Sequence, residues 1–143
     1  MKVLPTARIL LVDSQMERRQ ATQLALSALG VGSVREAASL DEAADPAVFG
    51  GADVLVVQVD DPEEAPANPY RFGAGIPAVL IAEVPAQLLV RAAGRGGYDA
   101  ALGAPLAPRL LYRRIGSVLQ RARRLSRPAS AAVAQPSDLV VAS

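Results

Sequence analysis

The chain has 143 residues, of which 51% are apolar, and its formal net charge at pH 7 is +1. This length and apolar content favour one folded domain with a buried core over a disordered chain. Cysteine and histidine are both absent, which excludes disulfides, thiolate metal sites and catalysis by either residue, although carboxylate chemistry stays open. The near-neutral charge argues against a generic nucleic-acid binder. With no signal-peptide pattern and no apolar run of about 18 residues, we expect a cytoplasmic protein without a membrane span.

The first third of the chain alternates strand and helix patterns. Residues 8–12 consist of Arg8 followed by a continuous apolar run, which is typical of a strand buried on both faces. Ser14 and Glu17 form a capping box that predicts a helix from Ser14, ending at Gly30, with an apolar stripe. The residues of this stripe are Leu24, Ala25, Ala28 and Leu29.

The same alternation continues to the end of the predicted domain. It begins with a weak strand, and a second capping box, Ser39 to Glu42, then starts a short helix towards Phe49. The segment at 60–75 is rich in proline and glycine and is predicted to be a loop. We predict one domain over residues 1–125 and a disordered tail or linker over residues 126–143. The remaining predicted elements are strands at 31–37, 53–59, 78–82 and 99–103, and helices at 86–93 and 108–125.

Alternating strands and helices predict an α/β fold with a doubly wound parallel sheet. Sheets of this kind hold their sites beyond the carboxyl ends of the strands. No Gly-x-Gly-x-x-Gly follows the first strand and no phosphate-binding loop of the Gly-Lys-Ser/Thr type occurs. The sequence therefore gives no support to a nucleotide site.

Five segments, in order, resemble the receiver domain of bacterial two-component response regulators. They are RILLVDS at 8–14, EAASLDEA at 36–43, DVLVVQ at 53–58, IPAVLIA at 76–82 and GYDAALGAPL at 97–106. The resemblance covers roughly residues 7–124. It implies a CheY-like, flavodoxin-like sheet of five parallel strands. The short segment between Gln58 and Pro77 predicts that the helix placed there by the family is reduced or missing.

The resemblance also implies that the family's phosphorylation residues have been lost. The family binds Mg²⁺ through two acidic residues, and Ser14 stands at the second of these positions here. The phosphoacceptor position falls on Gln58, whose amide cannot form an acyl phosphate. The conserved hydroxyl, aromatic and lysine positions are all alanine, and the bond after Ala104 is expected to be cis. A rival alignment makes Asp60 or Asp61 the acceptor. The expected degenerate pocket comprises Asp13, Ser14, Gln58, Ala82, Ala101, Ala104 and Pro105.

Asp13 and the acidic loop at 60–64 also have simpler interpretations. Asp13 follows a strand and precedes a helix, where the helix dipole stabilises an acid whether or not a metal binds. The acidic run in the loop is either solvated or a site for a cation or a basic partner.

The last predicted helix combines an apolar stripe with several arginines. One interpretation is a stripe facing the core with a solvated arginine face. A second is a surface for partners or for a homodimer, because arginine and tyrosine are enriched at interfaces. A third is contact with nucleic-acid phosphates. The interface candidates are Leu111, Tyr112, Ile115, Val118, Arg121, Ala122 and Leu125.

Taken together, these features predict a non-enzymatic pseudo-receiver. It would act in bacterial signal transduction or transcriptional control as a phosphorylation-independent protein-interaction module, with no metal or other cofactor. The first alternative is a small nucleic-acid-binding regulator that uses the arginine-rich last helix. An enzyme on a flavodoxin-like sheet is a further alternative.

Overall fold

Five short segments, most of them apolar, form the strands of one parallel sheet in a computed structural model that describes residues 6–43, 51–68, 76–104 and 107–126. The strand order is β2-β1-β3-β4-β5, which is the order of doubly wound, flavodoxin-like sheets. The predicted fold class is therefore confirmed. The strands are β1 (Arg8–Asp13), β2 (Ser33–Ala37), β3 (Val54–Gln58), β4 (Ala78–Ala82) and β5 (Ala100–Gly103).

Within the described ranges, four helices cover the two faces of the sheet. Apolar residues of the first and last helices, such as Leu26 and Ile115, form one core cluster with one face of the sheet. Leu89 and Ala92 of the third helix form a second cluster with the other face. Because both faces are covered, every residue of β3 and β4 is buried. The helices are α1 (Met16–Leu29), α2 (Leu40–Ala43), α3 (Ala86–Gly96) and α4 (Pro108–Ser126).

The start of α1 differs from the sequence prediction. Ser14 does not cap the helix; Gln15 occupies the N-cap position, without a side-chain capping bond. The carboxylate of Asp13 instead accepts the backbone N–H of Gln15 at 3.0 Å, so an aspartate at the strand end replaces the serine cap. At the other end Gly30 terminates the helix as predicted, with a φ of 100°.

The apolar stripe predicted for α1 is wrong at two of its four positions, since Ala25 and Leu29 are half-buried. Leu24 is 66% exposed and Ala28 is exposed, whereas the buried positions are Thr22 and Leu26. Thr22 satisfies its hydroxyl by donating to the carbonyl of Arg18 at 3.1 Å. A short polar residue can thus lie on the buried face when its hydrogen bond is local.

The other helix boundaries are closer to prediction. The second capping box is confirmed by Ser39 Oγ, which accepts the N–H of Glu42 at 3.2 Å, while Phe49 lies outside the described residues. α3 continues three residues beyond the predicted end and stops at Gly97, which has a φ of 76°. Glycine within a helix costs only about 1 kcal/mol, and Gly96 is buried in this packing. The predicted tail beyond Ser126 lies outside the described residues.

The described part of the chain between β3 and β4 contains little helix. Over residues 59–68 the only helical element is a 3₁₀ turn at Pro62–Glu64. The predicted reduction or loss of a helix stays a prediction, because residues 69–75 lie outside the described residues. The Asp61 carboxylate caps this turn by accepting the N–H of Glu63 at 2.9 Å. The loop then attaches to the end of α3, where the Tyr98 hydroxyl donates to the carbonyl of Pro66 at 2.7 Å.

None of the helices in the described ranges combines the length and the hydropathy required to cross a membrane.

Candidate functional site

The point where the strand order reverses lies between β1 and β3. The chain leaves β1 for β2 on one side and returns to β3 on the other, and ligands bind at such a point in open α/β sheets. The last residues of the two strands, Asp13 and Gln58, are paired in register there. The two strands thus bring together two residues of the predicted degenerate pocket, at the positions where the family resemblance implies a metal ligand and a phosphoacceptor.

Asp13 is fully paired within the chain. Its side chain is completely buried, and its two carboxylate oxygens accept from the Nε and Nη2 of Arg18, each at 2.7 Å. The bond from the Gln15 N–H adds a third donor. Bidentate, charge-assisted pairs of this kind are among the strongest hydrogen bonds in proteins. The guanidinium therefore supplies the positive charge that balances the buried carboxylate.

Arg18 also reaches the acidic loop after β3. Its Nη1 donates to Asp60 Oδ1 at 2.8 Å, and the amide of Gln15 donates to both oxygens of Asp60 at 2.9 and 2.8 Å. The hydrogen bond with Asp13 is the main reason why the pKa of Arg18 lies above its ordinary value. Hydrogen bonds from Arg18 first and Gln15 second hold the pKa of Asp60 below its ordinary value. Asp60 is solvent-exposed, yet it belongs to this network.

A second arginine secures the same strand end. Arg19 Nη1 donates to the backbone carbonyl of Asp13 at 2.8 Å, and its Nε donates to Glu36 of β2 at 2.9 Å. Neither arginine was predicted to belong to the site. The available signal was their position one turn into the helix that follows a strand-ending acid, because a long side chain at that position can reach back to the strand end.

Gln58 has a different environment from its neighbour. It is 5% exposed, and its Oε1 is buried without a hydrogen-bond partner in the described part of the chain. Buried acceptors are nearly always paired in proteins. This unpaired oxygen is therefore a feature that needs an explanation, and it lies at the position where the family resemblance places the phosphoacceptor.

The remaining predicted pocket residues are only partly brought together. Asp13, Ser14 and Gln58 line a cavity of about 390 Å³, while Ala104 lies on the other side of Gln58. Ala82 is fully buried in the core, Ala101 packs against the same core cluster, and neither lines a described cavity at this edge. Pro105, with the bond expected to be cis, lies outside the described residues.

The residues at this edge do not fit the Mg²⁺ ion that the family resemblance implies. Divalent magnesium requires oxygen ligands, usually carboxylates, with free lone pairs. Both oxygens of Asp13 already accept from Arg18, and Ser14 offers a neutral hydroxyl in place of a second acid. Within the described ranges, no three acidic, histidine or cysteine side chains are grouped as a metal site would require.

The interface residues predicted on the last helix divide into two groups. Leu111 and Ile115 are fully buried and Val118 is 6% exposed. These three pack in the core with α1 and the sheet, so their assignment as interface residues is wrong. The helix uses its apolar stripe to cover the sheet, as the simplest interpretation of the pattern predicted. Leu119, which the predicted stripe omitted, is buried as well.

The other interface candidates remain at the surface. Arg121 is exposed, Ala122 is half-buried, and Tyr112 is half-buried against the core. The side chain of Leu125 lies outside what the structure describes. The surface of α4 is therefore more basic, and less apolar, than the predicted interface.

Comparison with protein-family models and with curated protein sequences gives no match. Solved structures do match. A CheY-like response regulator receiver domain protein from Methanospirillum hungatei JF-1 has a TM-score of 0.67 and 18% identity, over 84% of this chain and 98% of that one. A response regulator from Thermotoga maritima has a TM-score of 0.66 and 20% identity, over 80% and 98%. An orphan response regulator of H. pylori has a TM-score of 0.64 and 17% identity, over 82% and 99%. The chain therefore has the fold of response-regulator receiver domains.

Proposed function

We propose that this chain is a cytoplasmic receiver-fold module of bacterial signal transduction or transcriptional control that binds protein partners without being phosphorylated. The observation that supports it best is the chemistry at the ends of β1 and β3. The amide side chain of Gln58 lies at the end of β3, where the family resemblance puts the acceptor, and the buried acid paired with it in register, Asp13, is bonded to an arginine of the same chain.

Phosphorylation of a receiver domain requires a nucleophile and a source of positive charge. A phosphoacceptor needs a carboxylate, because a neutral amide oxygen is a poor nucleophile and its phosphoryl adduct would not be an acyl phosphate. Phosphoryl transfer also needs a metal or cationic groups directed at the developing charge. The three guanidinium donors of Arg18 described above point to Asp13 and Asp60. The positive charge of Arg18 is therefore balanced by carboxylates of the chain and is not directed at an incoming phosphoryl group.

The rival acceptors are less suited to the chemistry. Asp60 lies two residues beyond the end of β3 and is bonded to Arg18 and Gln15, and Asp61 caps the 3₁₀ turn. Neither aspartate lies at the strand end in register with Asp13.

Incubation with acetyl phosphate and Mg²⁺, followed by intact-mass spectrometry, tests the absence of phosphorylation. We expect no phosphoryl adduct on the wild-type chain. Asp60→Asn and Asp61→Asn serve as paired variants. A wild-type adduct that disappears in either variant would assign the acceptor to that aspartate and overturn the proposal.

The partner surface in this proposal is the exposed side of α4, and the partner is a second copy of the chain or a protein of the same pathway. Exposed arginines lie along this helix, and Leu110 is 42% exposed among them. Arginine forms planar contacts with carboxylates, and a two-fold dimer is the commonest homo-oligomer. The arginines concerned are Arg109, Arg113, Arg114 and Arg121.

Light scattering over a range of concentrations tests self-association. We expect a dimer whose dissociation constant rises about tenfold in Arg121→Glu. Arg91→Glu, a charge reversal on the exposed side of α3, is the matched control and should leave the dimer intact. A wild-type chain that stays monomeric at every concentration would contradict the proposed homodimer. Binding to DNA that weakens steeply with salt would instead favour the nucleic-acid-binding alternative.

A further inference from the structure

The exposed arginines of α4 lack the carboxylate partners that several other arginines of the chain have. Arg8, Arg18, Arg19 and Arg95 each form an ion pair with an aspartate or a glutamate. By contrast, α4 contains no acidic residue, and its exposed arginines form no ion pair or hydrogen bond with any described residue. Their like charges repel one another along the helix, so an acidic surface placed against α4 would stabilise it. These arginines are Arg109, Arg113, Arg114 and Arg121.

Three exposed carboxylates also lack a partner among the described residues, and they lie at the carboxyl edge of the sheet. Glu17 is in the first turn of α1, Asp41 is in the first turn of α2, and Glu83 directly follows β4. None of them accepts a hydrogen bond from the part of the chain that the structure describes. The unbalanced negative charge therefore lies at one edge of the molecule, and the unbalanced positive charge lies along α4.

Glu83 lies beside the start of α4, because Glu83, Pro108 and Leu111 line the same cavity, which has a volume of about 470 Å³. Arg121 lies about 20 Å further along the helix, at a rise of about 1.5 Å per residue. The two residues therefore do not pair within one chain. A two-fold axis that packs two α4 helices antiparallel places the start of each helix beside the end of the other. In that arrangement Arg121 of each copy approaches Glu83 of the other.

An exposed leucine on α4 supports the same arrangement. Leu110 is 42% exposed and lies on the same side of the helix as Arg121, because positions 110 and 121 are about three turns apart. Across an antiparallel pair of helices, Leu110 of one copy lies beside Arg121 of the other. The aliphatic part of the arginine can cover this leucine while its guanidinium extends to Glu83. The contact therefore buries apolar surface as well as pairing charges.

We propose that this protein forms a two-fold dimer with antiparallel α4 helices, in which Arg121 of each copy pairs with Glu83 of the other. Arginine suits this contact because its planar guanidinium matches the geometry of a carboxylate. The inference rests on the proposed function, which places a partner surface on α4, and it adds the surface that α4 meets.

Charge reversal at the two residues tests the pairing, with the dissociation constant of the dimer measured by light scattering. Glu83→Arg and Arg121→Glu should each raise this constant about tenfold or more, since each places like charges at both contacts of the dimer. The double variant Glu83→Arg/Arg121→Glu should return the constant to within about threefold of the wild-type value, because the pair is restored with its charges exchanged. An equimolar mixture of the two single variants should form heterodimers, in which both contacts join opposite charges.

Asp41→Arg is the matched control. It reverses another of the three acids, on α2, which packs against the opposite face of the sheet from α4, and it should leave the dissociation constant unchanged. A loss in Asp41→Arg as large as that in Glu83→Arg would show that net charge determines association, and would overturn the inference. Wild-type dimerisation of Glu83→Arg, or no recovery in the double variant, would overturn the pairing but leave α4 as the partner surface. A monomeric wild type would overturn both the pairing and the homodimer.

Discussion

The two ends of β1 and β3 carry the same kind of ion pair in different environments. At the carboxyl end, Asp13 is fully buried and Arg18 is 27% exposed, with a contact of 2.7 Å. At the amino end, Arg8 is 59% exposed and Asp53 is 38% exposed, and the closest charged atoms are 3.5 Å apart. An aspartate and an arginine thus meet at both ends, but only one pair is removed from water.

This difference determines what each pair does. An exposed pair contributes little because water and salt screen it, and Asp53 acts mainly by accepting the backbone N–H of Arg8 at 2.8 Å. A buried pair is costly to disrupt, because the remaining charge has no solvent to stabilise it. The carboxyl end therefore depends on Arg18, while the amino end would tolerate the loss of its arginine side chain.

The largest effect is expected from Arg18→Met, which leaves Asp13 buried without its cation. We expect the free energy of unfolding to fall by about 3 kcal/mol, at the lower end for a broken buried pair because Arg18 is partly exposed. Urea denaturation measures this change. Arg91→Met, at an exposed position on α3, is the control and should change stability by less than about 0.5 kcal/mol. A loss in Arg18→Met no larger than in the control would contradict the comparison.

A smaller effect of opposite sign is expected from Gln58→Leu. The substitution removes a buried acceptor that has no partner among the described residues and keeps the side-chain volume, so the free energy of unfolding should rise by about 1 kcal/mol. Gln20→Leu on the exposed side of α1 controls for added hydrophobicity and should be near neutral. The same denaturation experiment checks both. A destabilised Gln58→Leu would mean that the amide has a role in stability that its contacts do not account for.

At the amino end we expect Arg8→Met to lower the free energy of unfolding by about 0.5 kcal/mol, because its pair is exposed and long. Raising the salt concentration should reduce even this difference, since salt screens exposed charges. Denaturation at low and high salt gives the measurement. A loss as large as that of Arg18→Met would show that burial does not separate the two ends.

The smallest effect concerns the pH dependence contributed by Asp60. Its pKa is lowered in the folded state, first by Arg18 and then by Gln15. The folded state therefore holds this proton less tightly than the unfolded chain. The resulting stabilisation is present above the ordinary aspartate pKa and is lost as the pH falls through the lowered value. A ¹³C titration of the Asp60 carboxyl should show the lowered pKa.

The Arg18→Met variant provides the control for this titration. It removes the principal cause of the lowered pKa, so the Asp60 titration should move up towards that of an aspartate in an unstructured peptide. A midpoint that does not move on removal of Arg18 would contradict the assignment of the cause.

The accuracy of the sequence predictions varied with the range of the interactions involved. β4 was predicted to the residue because Ala78–Ala82 is a buried apolar run between helix and loop patterns. The start of α1 was predicted at Ser14 because a serine and a glutamate matched the capping pattern. The carboxylate of Asp13 accepts the Gln15 N–H instead. The capping pattern alone does not show which of two neighbouring side chains, Asp13 or Ser14, bonds to the start of the helix.

Only part of the candidate site was predicted. The ends of the first and third strands pointed to Asp13 and Gln58, and the register confirms that they are neighbours. The pairing of Asp13 with Arg18 was not predicted, nor was the absence of a partner for Gln58 Oε1 in the described ranges. Both depend on where α1 lies over the sheet edge.

The sequence by itself determined the features that arise within a few consecutive residues. These are the apolar runs that become strands, the glycine that ends α1 at Gly30, and the stripe that makes α4 amphipathic. The tertiary structure decided which side chains meet. Whether Ile115 faces the sheet or a partner, and whether Asp13 is balanced by a metal or by Arg18, depends on groups that are brought together only when the chain folds back on itself. Burial then sets the strength of each contact, because the same charge or apolar group behaves differently in water and in the core.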